Sequence, residues 1–143
     1  MSFCSFVLAL YQSQRYDISK NYCKKKGIPF QLDDNVKSYD DTTLFCPAGM
    51  QQFKEKFKNP DNTTVANIQS CIRLNDLEEI GDGTHMLHFK MIGLFSFGQM
   101  TINEAVDFWV EFIRDVLEID IDYVTIHPPI VTGKHMCSIS YFF

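Results

Sequence analysis

Cys71-Ile72-Arg73-Leu74-Asn75-Asp76-Leu77-Glu78 leads through Gly81-Asp82-Gly83-Thr84 into His88-Phe89-Lys90-Met91-Ile92-Gly93-Leu94-Phe95-Ser96-Phe97-Gly98. Residues 70–74 and 88–97 have the apolar and aromatic character of strands, and glycines punctuate the stretch between them. The pattern predicts an antiparallel pair joined by a long hairpin loop. One arm carries an arginine and a group of carboxylates, and the other is a run of aromatics. That pairing suits a site that clamps a phosphate or carboxylate and stacks a flat ring.

Upstream, residues 42–46 form a short β-like run. Pro47-Ala48-Gly49 then turns the chain into a helix over 50–58, closed by Asn59-Pro60. Residues 61–64 read as loop, and residues 28–41, with Pro29 and several aspartates, as loop or edge strand. Residues 3–26 carry Phe3, Phe6, Val7, Leu10 and Tyr11 at helical spacing and end in Lys24-Lys25-Lys26-Gly27, which predicts a helix. Part of that segment could instead be a first strand, because Phe, Val and Tyr are frequent there. Downstream, Thr101 and Glu104 have capping-box spacing. Ile102, Ala105, Val106, Trp109, Phe112, Ile113, Val116 and Leu117 then fall on one helical face, a core-packing stripe. Residues 123–126 read as a strand ended by His127-Pro128-Pro129, and residues 130–143 show no clear period. Strands flank helices irregularly, so the class is α+β with a mainly antiparallel sheet.

The 143 residues fit one domain, 1–143, and 45% hydrophobic residues suffice for a core. A net charge of −5 leaves no global field drawing the chain to nucleic acid or an anionic membrane. Two local lysine groups, 24–26 and 54/56/58, are read as solvated faces. The five widely spaced cysteines include no C-x-x-C pair, which argues against a zinc site and fits a reducing, cytoplasmic setting. The apolar run 3–10 is too short to span a bilayer and lacks a basic n-region, so neither a signal peptide nor a membrane segment is expected.

Arg73 is the residue most suited to chemistry, since a strand would hold its guanidinium rigidly. Its alternative role is an ion pair with Asp76 or Glu78. Those two acids would alternate on one strand face if the strand continued, and could hold an ammonium, a metal or only Arg73. Phe89, Phe95 and Phe97 could stack a base or fill the core. His85 and His88 are three apart, but no third ligand stands near them in sequence, so no metal site is assigned. No phosphate-binding glycine loop or nucleophile motif is present.

Thr43-Leu44-Phe45-Cys46-Pro47-Ala48-Gly49-Met50-Gln51-Gln52-Phe53-Lys54 resembles the first signature of alanyl-tRNA synthetases, typically T-L-L-F-x-x-A-G-M-x-Q-F-K. Cys71-Ile72-Arg73 with Asn75-Asp76-Leu77-Glu78 resembles that family's second motif, and residues 91–98 its M-L-G-N-F-S-F-G strand. The resemblance covers about 15–128, leaving 129–143 as a divergent tail. It implies the N-terminal part of a class II synthetase core, an antiparallel sheet flanked by helices. It implies that Arg73 is catalytic, binding the α-phosphate of ATP and the amino-acid carboxylate. Asp76, Glu78, His85 and Phe89 would join Arg73 in binding ATP or an adenylate, with Phe89 beside the adenine. ATP with Mg is the implied cofactor, and ATP, an amino acid and the tRNA acceptor end the implied ligands. A homodimer or a partner protein is also implied. The family's loop arginine is missing before the second strand, its glutamate is Lys90, and no third motif or alanine-recognition set follows. Binding with weak or no aminoacylation by this chain alone is therefore expected. The alternatives are a non-catalytic interaction or regulatory module, or a ligase completed by a second chain.

Overall fold

A computed structural model describes residues 2–10, 14–75, 77–82, 85–127 and 135–142, with the backbone alone for 2–10, 14–15, 126–127 and 135–142. The strands are β1 (Ser2–Leu10), β2 (Phe30–Asp33), β3 (Thr64–Ile72), β4 (His88–Phe97), β5 (Tyr123–His127) and β6 (His135–Phe142). The helices are α1 (Gln14–Lys25), α2 (Lys54–Lys58) and α3 (Ile102–Glu111), the last running on into a π-turn, Phe112–Val116. All six strands form one sheet in the order β2-β3-β4-β1-β6-β5. β3–β4, β4–β1 and β6–β5 are antiparallel, whereas β2–β3 and β1–β6 are parallel. The sheet is therefore mixed, with helices against it: an α+β fold.

β3 and β4 form its described core. Residues opposite one another in an antiparallel ladder share a face. Ala66 lies opposite Leu94 and Ile68 opposite Ile92, and all four pack with Tyr22, Cys23, Ala105, Phe108, Trp109, Phe112 and Ile113 from the helices. Val65 lies opposite Phe95 on the other face, under Phe53, with Phe97 beside it. The α3 stripe is core packing as its spacing predicts: Trp109 is 1% exposed and meets Phe108 and Phe112 edge-on. The capping box is formed, with the Glu104 N–H donating to Thr101 Oγ1 at 3.3 Å and the Thr101 N–H to Glu104 Oε2 at 2.7 Å.

Several elements differ from the sequence reading. The helix expected over 3–26 is a strand, β1, followed by a helix that starts at Gln14. An apolar run of eight satisfies either period, and pairing with both β4 and β6 decides for the strand. β3 begins at Thr64, six residues before the expected strand, because Thr64, Asn67, Gln69 and Ser70 are buried polar residues that break an apolar pattern. The helix expected over 50–58 is a 3₁₀ turn, Gln51–Phe53, followed by the short α2. Residues 42–46 contribute a single bridge, Phe45 to Lys37. The tail without a period contains β6, which joins β1 to β5.

Candidate functional site

The face of β3 opposite α1 and α3 carries Val65, Asn67, Gln69 and Cys71, matched on β4 by Phe95, Gly93, Met91 and Phe89. The ladder extends one step past β3, with the Arg73 N–H donating to the Leu87 carbonyl at 3.1 Å. Strand alternation therefore puts Arg73 on this face. Its Nε donates to the Pro47 carbonyl at 3.1 Å, its Nη2 lies 3.9 Å from Met91 Sδ, and the guanidinium sits 5.3 Å from the centre of the Phe89 ring. Arg73 remains exposed. Among the described residues no carboxylate forms an ion pair with it. The alternative reading of Arg73 as Glu78's ion-pair partner is therefore not what forms. A carbonyl orients the fork without neutralising it, and the stacked ring favours the cation.

Arg73 and Phe89 come together; the other expected site residues stand differently. β3 ends at Ile72 and does not reach 78 as the alternation required. Glu78 lies on a 3₁₀ turn, Leu77–Glu79, and is exposed, and Asp76 lies outside the described residues. His85 turns to its own loop, with Nδ1 2.5 Å from Asp82 Oδ2 and 3.3 Å from Glu79 Oε2. The view that no third ligand stands near His85 is corrected, since Glu79, Asp82 and His85 bring one donor atom each within 4.8 Å of one another. His88 is outside that group. Two exposed carboxylates with a half-buried imidazole do not suit magnesium, which favours oxygen donors in near-ideal octahedra. No step is assigned to a metal there. Phe95 and Phe97 are 1% exposed against Phe53 and Phe57 and belong to the core.

Sequence reading missed the hydrogen-bonded support of this face, although its signal was present in the alternation Asn67, Gln69, Cys71, Arg73. Gln69 Oε1 accepts from Tyr39 Oη and Gln52 Nε2, both at 3.3 Å, while its Nε2 donates to the Asn35 carbonyl at 2.9 Å. The Asn67 Nδ2 donates to the Gly49 carbonyl at 2.9 Å. Beside Arg73, a groove of about 250 Å³ is lined by Leu44, Phe45, Pro47, Ile72 and Leu74 among others. The thiols of Cys46 and Cys71 lie beneath the site, both 0% exposed, and burial pushes Cys71 up to about 12 and Cys46 upward too. Such thiols are poor nucleophiles.

Charges that looked free in the sequence are paired elsewhere. Lys90 is on the opposite face, opposite Ser70, and binds Asp34 Oδ1 at 2.5 Å. Lys54 pairs with Asp40, Lys56 with Asp61, and Lys58 with Glu55 at 2.8 Å. Hydrogen bonds from Lys54 and Thr42 hold the Asp40 carboxyl down at about 2. The 54/56/58 lysines are therefore an ion-paired face. Among the described residues no helix is long and apolar enough to cross a membrane.

A family model for class II (A) tRNA synthetases matches residues 23–129. The chain is 37% identical over 124 residues to an alanine–tRNA ligase of Sulfurimonas denitrificans, covering 79% of this chain and 14% of that protein. It is 33% identical over 110 residues to that of Dehalococcoides mccartyi (72% of this chain, 13% of the relative). It is 41% identical over 83 residues to that of Rubrobacter xylanophilus (56% and 9%). The chain thus spans about a seventh or less of the relatives it matches. The match runs from the end of α1 through β5 and includes both the 43–54 turn and the Arg73 arm, and the chain belongs to the class II alanyl-tRNA synthetase family.

Proposed function

We propose that this chain binds ATP or an aminoacyl-adenylate at Arg73, with Phe89 at the flat ring of the ligand. One observation carries the reading: an exposed guanidinium oriented by a carbonyl and a ring, with no described carboxylate paired to it. An arginine held that way keeps donors for an incoming anion. Adenylation joins a carboxylate to an α-phosphate, and one forked cation can bridge both anions as they approach. The family membership supports this assignment and extends it to an amino acid, to magnesium travelling with the nucleotide's phosphates, to the tRNA acceptor end and to a cytoplasmic setting.

Titration calorimetry with ATP·Mg²⁺ and with a non-hydrolysable alanyl-adenylate analogue tests the proposal. Micromolar binding is expected for wild type. Arg73→Ala should lose it and Arg73→Lys should restore only part, because a lysine cannot fork. Equal affinity in wild type and Arg73→Ala would refute the assignment. Pyrophosphate exchange that depends on one amino acid, alone or with a second chain, would extend binding to ligase activity.

A second reading is favoured by one feature. Leu74, Leu77, Ile80, Met86 and Leu87, all on the excursion between β3 and β4, are each at least 40% exposed. Apolar exposure of that kind marks interaction surfaces. A stable dimer or hetero-complex indifferent to nucleotide and to Arg73→Ala would establish this reading over the first.

A further inference from the structure

We propose that Asn67 is a positioning residue for Arg73, acting through the turn at residues 46–49. The inference rests on Arg73 being the anion-binding group. Asn67 is 0% exposed in the middle of β3, where each hydrogen bond an amide makes offsets part of the cost of burying it. Its Nδ2 has one such bond, to the Gly49 carbonyl at 2.9 Å. Its Oδ1 has no hydrogen-bond partner among the described residues.

The turn is tied to β3 and its extension at three points. The Ile72 N–H donates to the Cys46 carbonyl at 3.0 Å, Arg73 Nε to the Pro47 carbonyl at 3.1 Å, and Asn67 Nδ2 to the Gly49 carbonyl. The first tie is backbone to backbone, and the second is the contact that orients the guanidinium. Asn67 is the side chain that holds the far end, so the direction of the Pro47 carbonyl depends on it. The local shape agrees. A Cβ on Gly49 would stand 3.0 Å from Asn67 Oδ1, and one on Gly93 would stand 3.1 Å from the same atom. Two glycines leave the space that this amide fills.

The test combines nucleotide affinity with the state of Arg73 in the ligand-free protein. ATP·Mg²⁺ binding is measured by calorimetry for wild type, Asn67→Leu, Arg73→Lys and the double variant, each shown to be folded by circular dichroism. Asn67→Leu should weaken binding by roughly 10- to 100-fold, the scale of a misplacement of about 1 Å. In the Arg73→Lys background Asn67→Leu should cost clearly less than in wild type, since Asn67 acts only through Arg73. Unchanged affinity in Asn67→Leu, or losses that simply add, would overturn the proposal. The Nε–H resonance of Arg73 should be sharp and protected in wild type, and should move to the position of a free arginine in Asn67→Leu. If wild type binds no ATP, the nucleotide reading fails and this resonance alone decides the positioning role: movement supports it and an unchanged signal overturns it. Gly49→Ala, which presses on the same amide while leaving Asn67 in place, carries the same expectations if Asn67→Leu does not fold.

Discussion

Gly93→Ala should destabilise the protein, although glycine to alanine in a strand ordinarily stabilises. The usual gain is about 0.5–1 kcal/mol, from lower backbone entropy in the unfolded chain. Here an added Cβ would lie 2.5 Å from Phe95 Cε2, 2.7 Å from its Cζ and 3.1 Å from Asn67 Oδ1. Carbon atoms are comfortable at about 3.5–4.0 Å. The Phe95 ring is 1% exposed, with the Phe53 ring at 5.1 Å and the Phe57 ring at 6.3 Å, so it has little room to swing aside. Overpacking of a close-packed site costs about 1–3 kcal/mol, and the closeness of this contact puts it near the upper end. The net loss should be about 2 kcal/mol, or roughly 6–8 °C in Tm for a chain of this size. Urea denaturation followed by circular dichroism measures it. In a Phe95→Leu background the same substitution should become nearly neutral, a coupling of about 1.5–2 kcal/mol. A Gly93→Ala protein as stable as wild type, or an equal loss in both backgrounds, would show that the ring is not what excludes a side chain at 93.

Thr101→Ala removes a formed capping box and should cost about 1 kcal/mol, visible in thermal unfolding, with Thr101→Ser recovering most of it. Asp34's carboxyl is held below its usual range, chiefly by hydrogen bonding to Lys90. That contribution is present above the unfolded aspartate value of about 3.9 and is lost as pH falls through the lower folded value. Both partners are well exposed, so it is worth no more than about 0.5 kcal/mol. Lys90→Glu should lower stability at pH 7 by a similar amount, and its deficit should shrink below pH 4; a deficit constant with pH would remove Asp34 from the explanation. Cys23, Cys46 and Cys71 are buried, with raised thiol pKa values. Peptide mapping after brief thiol labelling should find all three unmodified in the folded protein and labelled in urea. Rapid labelling of Cys71 in the native state would contradict its burial.

Much of the candidate site's geometry was legible before any coordinates. Arg73 and Phe89 stand on adjacent strands as the alternation and the resemblance implied, and the capping box and apolar stripe of α3 came directly from spacing. Glu78 and His85 were harder to place. A hairpin excursion of this length has no period, and local carboxylates captured His85 before any distant partner could. The first strand was ambiguous because an uninterrupted apolar run satisfies both helix and sheet, and only pairing partners break the tie.

Local interactions act between residues a few positions apart, so the sequence alone determined the α3 cap, the β4 arm of the hairpin, the turn at Pro47-Ala48-Gly49 and the residue types needed at an anion site. Tertiary structure decided what those residues face. Pro47 and Arg73 are 26 positions apart, and Asp34 and Lys90 are 56 apart. Only the stacking of strands brings such pairs within hydrogen-bonding reach. The same stacking put Lys90 on the far face and left Arg73 exposed, because adjacent positions on a strand point to opposite sides of the sheet.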